Sequence, residues 1–243
     1  MRFQDQVILI SGGGSGIGQH IAWELADEGA QVVVVDINAE GLSETERARS
    51  NRVHVHLCDV RDDDGVRQVV AETMAQFGRI DGLVHSAYWT DPKPLLETGP
   101  EEFQKTQDVV LKGAYLLARH ILPVMLQQGR GVIVPIASVH SVLGFRNFFA
   151  YQVAKAGLLG YVRSIAVDYG PAVRAVALAP GAIDTPALHD TSEEVRATLA
   201  QGSLAKRIGT AHDVARAASF LLSDESSFMT GTMLLLDGGW SVL

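Results

Sequence analysis

Short apolar runs alternate with amphipathic segments of helical length along nearly the whole chain. Val7–Ile10, Gln31–Val35, Val53–Leu57, Gly82–His85, Val132–Ile136, Val173–Leu178 and Met233–Leu236 are rich in Val, Ile and Leu with few polar interruptions, as expected of strands buried on both faces. Between them, Gly16–Glu28, Glu40–Arg49, Asp62–Phe77, Glu101–Gln128, Tyr151–Tyr169 and Ala211–Ser223 carry the spacing of helices with one apolar face. The progression predicts an α/β fold: one doubly wound domain over 1–243, with an approximately seven-stranded parallel sheet flanked by helices. Pro135 is the one residue that sits badly in its expected strand, because it lacks the N–H that a ladder needs.

Two stretches interrupt the alternation. Residues 88–100 carry Pro92, Pro94, Gly99 and Pro100, which predicts a loop just past a strand's carboxyl end, where such sheets bind ligands. Residues 186–207 hold a weak helix and are expected to form a lid. Both are expected to wall a substrate pocket.

Composition narrows the class. Of the 243 residues, 47% are hydrophobic and 20% charged, enough for a core sealed on both sides of a sheet, and no repeat or low-complexity tract interrupts it. A formal charge of −8 disfavours nucleic acid or an anionic membrane as partner, since those surfaces attract clustered Lys and Arg. The first residues contain no apolar signal core, and no later apolar run is expected to reach the ~18 residues of a bilayer span, so a cytoplasmic protein is expected. Cys58 is the only cysteine and reads as a small buried hydrophobe.

The first strand leads into Ser11-Gly12-Gly13-Gly14-Ser15-Gly16-Ile17-Gly18 and then a helix. Glycines allow a tight turn and close backbone approach to a pyrophosphate, and the N–H groups and dipole at the helix start favour its charge. The spacing is not the Gly-x-Gly-x-x-Gly of the common dinucleotide fingerprint, and a glycine-rich loop can also be a plain turn. Its place between strand and helix favours phosphate. Gly12, Ser15, Gly16, Ile17 and Gly18 are the candidate contacts. Asp36 ends the second strand, where a carboxylate can accept from ribose hydroxyls and repel a 2′-phosphate, and no Arg follows in Ile37-Asn38-Ala39, so NAD is expected over NADP. Asp36 can equally cap the next helix. Asp59 and Val60 are expected beside the adenine, with the same capping alternative for Asp59.

Tyr151 and Lys155 lie four residues apart on one helical face. Exchange of a hydride with an alcohol carbon requires proton transfer at its oxygen, and a phenol of pKa about 10 is poorly matched to neutral pH. A nearby ammonium favours the phenolate, and a three-unit shift corresponds to roughly 4 kcal/mol. Such a pair alone is more often a surface feature. Ser138, at the end of an apolar strand, supplies the context: its hydroxyl can bond a substrate oxygen beside Tyr151.

Together these residues resemble the short-chain dehydrogenase/reductase family. The resemblance runs through the 11–18 loop, Asp36, Asp59-Val60, Ser138, Tyr151, Lys155, Pro180-Gly181-Ala182-Ile183-Asp184-Thr185-Pro186 and Thr230-Gly231 with Asp237-Gly238-Gly239. It implies a Rossmann-type sheet, Tyr151 as general acid/base, Lys155 lowering its pKa and holding the nicotinamide ribose, and Ser138 polarising a carbonyl. It further implies Ile183 and Thr185 at the nicotinamide end and a homo-oligomer, commonly a tetramer; Pro180 is a further candidate cofactor contact, and no metal is expected. Two positions depart from the family pattern. His85-Ser86-Ala87-Tyr88 stands where Asn-Asn-Ala-Gly is usual, and Val110 stands where a relay asparagine precedes Leu-x-Gly. A dinucleotide-binding sensor without turnover is therefore a second reading. An epimerase or dehydratase would ordinarily need a further substrate domain.

Residues near the reacting carbon are expected from Tyr88-Trp89-Thr90, the run His140 to Phe149, and Ala187-Leu188-His189. Trp89, His140 and Asn147 are the candidate substrate contacts, with His140 foremost for its place two residues past Ser138. The mixture favours a small-molecule alcohol or carbonyl compound of the sugar, polyol or hydroxy-acid type, with a hydrophobic or steroid-like alcohol as the alternative. The apolar end Leu234–Leu243 is expected to pack on a neighbouring subunit, or else fold back on its own chain.

Overall fold

A computed structural model describes residues 1–189 and 191–242; Asp190 of the expected lid and Leu243 of the apolar tail lie outside the described residues. The chain runs β1 (Val7–Ser11), α1 (Gly16–Asp27), β2 (Gln31–Asp36), α2 (Ala39–Ala48), β3 (Val53–Leu57), α3 (Asp63–Phe77), β4 (Gly82–His85), α4 (Pro100–Gln107), α5 (Gly113–Gln128), β5 (Gly131–Pro135), α6 (Phe149–Tyr169), β6 (Val173–Pro180), β7 (Ile183–Asp184), α7 (Glu193–Gln201), β8 (Gly209–Thr210), α8 (Ala211–Leu222) and β9 (Thr232–Leu236). The seven expected strands form one parallel sheet in the order β3-β2-β1-β4-β5-β6-β9. The two-residue pair β7-β8 was not expected from the sequence, being too short to carry a hydrophobic pattern.

Side chains on a strand alternate between faces, and here both faces are apolar. In β1, Val7 and Leu9 join α3, α5 and α6 on one side, while Ile8 and Ile10 join α1 and α8 on the other; β2 splits as Val33 and Val35 against Val32 and Val34. The order reverses between β1 and β4, so the loops leaving their carboxyl ends diverge and open a crevice there.

The single helix expected over Glu101–Gln128 is instead two. One π-helical turn, Asp108–Lys112, separates α4 from α5. Apolar periodicity cannot reveal one extra residue in a turn. The stretch Pro100–Gln128 is also long and apolar enough by composition to cross a bilayer, which corrects the expectation that no run would be. Ala114, Leu117, Ala118, Ile121 and Met125 commit that apolar surface to the sheet.

Pro135 is accommodated at a seam. Val132 and Ile136 direct their N–H groups to β4, whereas Ala137 donates to Leu178 of β6, so the N–H that Pro135 lacks would face β6. There the ladder is already open: pairing stops at Ile133–Ala175 and resumes only as a bridge at Ile136–Leu178.

Gly113 begins α5 with Val60 and His85 pressed against it. A Cβ there would stand 2.8 Å from Val60 Cγ2 and 3.3 Å from His85 Cε1. Gly113→Ala should therefore destabilise the protein by about 1–3 kcal/mol through overpacking, read as a lowered melting temperature in calorimetry.

Candidate active site

The β1–α1 loop owes its shape to two close approaches. Gly12 has φ +70°, and a Cβ on it would strike the backbone of Ala87 after β4; a Cβ on Gly18 would strike the carbonyl of Gly12. Ser15 is the N-cap of α1, yet its exposed side chain makes no capping bond, leaving the hydroxyl and the first N–H groups of the helix free for an anion. Gly16 and Gly18 are buried beneath it and Ile17 is half-buried. Across the crevice, a Cβ on Gly16 would lie 3.5 Å from Cβ of Thr185, so Thr185 stands opposite the loop. Pro180 ends β6, and Ile183 is buried where β7 pairs with β8.

Asp36 does not cap α2. Asn38 does, accepting from Gly41, while Asp36 accepts from the N–H groups of Gly14 and Asn38, both at 2.9 Å. Its carboxylate is thus fixed at the loop, next to an exposed Ile37, and no Lys or Arg pairs with it among the described residues. Asp59 is likewise no cap, since Asp62 serves α3. Arg61, unremarked in the sequence, grips it with Nε at 3.0 and 2.9 Å from the two carboxylate oxygens, and this pairing holds the Asp59 carboxyl below its usual range. Val60 is buried against Gly113. The donor-rich loop, the tight cradle and the oriented Asp36 fit a dinucleotide.

Ser138 opens a 3₁₀ turn, Val139–Ser141, at the end of the fifth sheet strand. Its hydroxyl accepts from the His140 N–H at 3.2 Å, and the Ser141 hydroxyl donates to the Lys155 carbonyl at 2.9 Å, stitching this turn to α6. Tyr151 and Lys155 face the turn from the first two turns of α6, and the Ser138 hydroxyl lies beside the Tyr151 phenol. Lys155 is buried; Nζ donates to the Ile136 carbonyl at 2.6 Å and lies 5.5 Å from the Tyr151 ring centroid and 5.9 Å from that of Tyr88. Pairing of β4 with β5 ends at His85–Pro135, so the Ile136 carbonyl is an acceptor just past the ladder.

Burial governs the electrostatics. It drives the Tyr151 phenol above its ordinary value, with the nearby Ser138 hydroxyl opposing, and brings Lys155 down to about 7. Without a dinucleotide both groups lean towards their neutral forms. The phenol can then donate to a carbonyl oxygen, and Lys155 is poised to gain or lose its proton near neutrality.

The departures from the family pattern form one linked unit. His85 is buried at the end of β4, its Nδ1 2.7 Å from the Ser11 hydroxyl and its Nε2 3.1 Å from the Val110 carbonyl. A carbonyl can only accept, so Nε2 carries the proton and Ser11 donates to Nδ1. Burial, with Lys155 nearby, holds His85 down to about 3. The Val110 side chain is fully buried, and its carbonyl, on the π-turn, belongs to His85. The sequence marks both positions as unusual but not their contact, which needs the extra residue of the π-turn.

The three expected substrate residues separate. His140 sits in an aromatic cluster, stacked on Phe145 at 4.1 Å between centroids and edge-on to Phe148 and Tyr151 at 4.8 and 5.2 Å. Trp89 is taken up by Lys105 of α4, whose Nζ lies 4.2 Å over its ring; Tyr88 instead meets Tyr151, at 6.3 Å. Asn147 is exposed with φ +64°, a left-handed turn position that Asn tolerates, so it shapes the loop rather than joining the cluster. The chain end folds back on its own chain: Trp240 lies 6.3 Å from Phe145 and fills the space beside Gly202 at the end of α7. A cavity of about 140 Å³ opens between this end and Ile183. The expected lid is tied down by Arg196 of α7 to Asp184, at 2.9 Å.

Residues 12–241 match the family model described as enoyl-(acyl carrier protein) reductase. The chain belongs to the short-chain dehydrogenase/reductase family and is an oxidoreductase. It is 36% identical over 255 residues to levodione reductase of Leifsonia aquatica, spanning 99% of this chain and 96% of that one, and the crystal structure of levodione reductase superposes with a TM-score of 0.94 over 99% of both chains. Cis-4-hydroxycyclohexanecarboxylate dehydrogenase of Sinomonas cyclohexanicum is 37% identical over 246 residues, with 99% and 98% covered. 2-(R)-Hydroxypropyl-CoM dehydrogenase of Xanthobacter autotrophicus is 37% identical over 252 residues, with 98% and 99% covered.

The Lys155 shift has a thermodynamic signature in the dinucleotide-free protein. Between about pH 7 and its ordinary value of 10.5 the unfolded chain binds more protons at this site than the folded one, so stability should rise with pH across that window. Melting temperatures measured across the window should climb in the parent and lose this component in Lys155→Met.

Proposed function

We propose that the protein is an NAD-dependent oxidoreductase that interconverts a secondary alcohol and a ketone on a small ring-bearing substrate. The observation that carries this reading is the Ser138 hydroxyl and the Tyr151 phenol brought together beside buried Lys155, facing an aromatic wall. Bound NAD would supply the hydride acceptor. Ser138 orients the substrate oxygen, Tyr151 takes or returns its proton, and Lys155 supports the charge that develops on the phenol. His140 and Phe148 present apolar ring surface beside that oxygen.

Asp36 supports NAD over NADP, because its fixed carboxylate would meet a 2′-phosphate with like charge and Ile37 offers no compensating cation. A wall this aromatic would leave most hydroxyls of a sugar or open polyol unpaired, so of the expected classes the hydroxy acid, built on a ring, fits best. The relative named for cis-4-hydroxycyclohexanecarboxylate supports that class. The reading extends to a cytoplasmic protein and to a homo-oligomer, the oligomer supported by exposed Val153 and Val167 on α6 and Leu235 on β9.

Two measurements test the proposal. Initial rates on a panel of cyclic and acyclic secondary alcohols should show NADH formation, and Tyr151→Phe should lower kcat by about 10²–10⁴-fold while leaving NAD binding within a few-fold. NAD binding by the parent with no turnover on any alcohol would favour the sensor reading, for which the displaced relay position at Val110 argues. Ile37→Arg should improve kcat/KM for NADP relative to NAD by about tenfold or more; an unchanged ratio would remove Asp36 and its neighbour as the discriminator.

A further inference from the structure

His140 holds a polar atom that the fold does not use. Its Nδ1 is the only buried side-chain nitrogen or oxygen without a hydrogen-bond partner among the described residues. Buried polar groups nearly always find partners, and an orphan costs more free energy than a made bond returns, so its retention calls for a reason. Packing alone gives none. The ring is clamped against Phe145 and meets Phe148 and Tyr151 edge-on, contacts that a phenylalanine would make equally well without a stranded nitrogen.

The backbone of His140 is fixed to the reaction centre, since its N–H donates to the Ser138 hydroxyl. The imidazole is therefore held one aromatic ring's breadth from Tyr151, 5.2 Å between centroids. Titratable groups facing this cluster are Tyr151, Lys155 and Tyr88; burial and Lys155 keep the imidazole uncharged, at about 4. A neutral imidazole offers one donor and one acceptor. A half-turn about its outer torsion preserves the stack on Phe145 while exchanging nitrogen for carbon at each edge, so either edge of the ring can present a nitrogen.

We infer that His140 is a specificity-determining residue that hydrogen-bonds a second oxygen of the substrate, carried on a carbon other than the one oxidised, when the first oxygen is held by Ser138 and Tyr151. The inference rests on the placement of the reacting oxygen proposed above. It assigns the substrate a class: a compact, largely apolar skeleton with two separated oxygen functions, a diol, hydroxy ketone or hydroxy acid, rather than a simple alcohol.

Matched substrates read this directly. Cyclohexanol is compared with cis-cyclohexane-1,4-diol and cis-4-hydroxycyclohexanecarboxylate, and butan-2-ol with butane-2,3-diol, in the parent, His140→Phe and His140→Asn. The parent should prefer the two-oxygen member of a pair in kcat/KM. His140→Phe, which keeps the aromatic stack, should reduce that ratio by about tenfold or more. His140→Asn places an amide where Nδ1 stands and should restore part of it. A ratio unchanged in His140→Phe overturns the inference, whatever common loss both substrates suffer. Preference confined to the acyclic pair but dependent on His140 would overturn the ring proposal and leave this one standing. Imidazole ¹⁵N shifts in the NADH-loaded protein supply a readout without turnover: the His140 nitrogens should move with the diol and not with cyclohexanol, and no movement with either overturns the inference.

Discussion

A sheet sealed on both faces leaves polar groups nowhere to act except at the ends of its strands. Val7 and Leu9 are spent on one layer and Ile8 and Ile10 on the other, so β1 has no side chain to spare until Ser11 and the glycines beyond it. Asp36 and His85 end their own strands, and Asp59 and Ser138 follow just past the ends of theirs. Because all seven strands are parallel, these ends lie along one edge, and the reversal of order between β1 and β4 opens the crevice there. The reaction centre is thus placed by burial before any of its residues is chosen for chemistry.

The same burial sets the terms on which ionisable groups can be present. Lys155 is tolerated because Nζ reaches the Ile136 carbonyl beyond the last pairing of β4 with β5, and it retains only a loose hold on its proton. His85 is tolerated because it is neutral and satisfied on both nitrogens, linking the start of the glycine loop to the π-turn. Asp36 and Asp59 are held in place by different means, one through backbone N–H groups and one through Arg61. His140 is the exception, buried at one nitrogen and unpartnered there.

Most of the architecture was legible because its signal is repeated. Each of seven strands is a short aliphatic run, and the helices between them carry a regular apolar face, so strand order aside the fold emerges from counting. Ser138, Tyr151 and Lys155 were legible only together, since the spacing of Tyr and Lys alone has many innocent causes. The features that escaped depend on single contacts. The π-turn, the grip of Arg61 on Asp59, the capture of Trp89 by Lys105 and the turn role of Asn147 each rest on one local geometry that leaves no period in the sequence. Pro135 was visible as an anomaly, but its resolution lies in the register of β6, far along the chain.

The π-turn separates two jobs that a continuous helix would have coupled. One extra residue rotates the faces of α4 by roughly 100° relative to those of α5. α5 keeps Leu117, Ile121 and Met125 on the sheet, while α4 offers Phe103 to Phe149, 5.9 Å away, and Lys105 to Trp89. Substitutions on α4 can therefore reshape the mouth of the crevice without disturbing the hydrophobic layer beneath. Selection for a new substrate has a segment to work on whose changes do not propagate into the sheet.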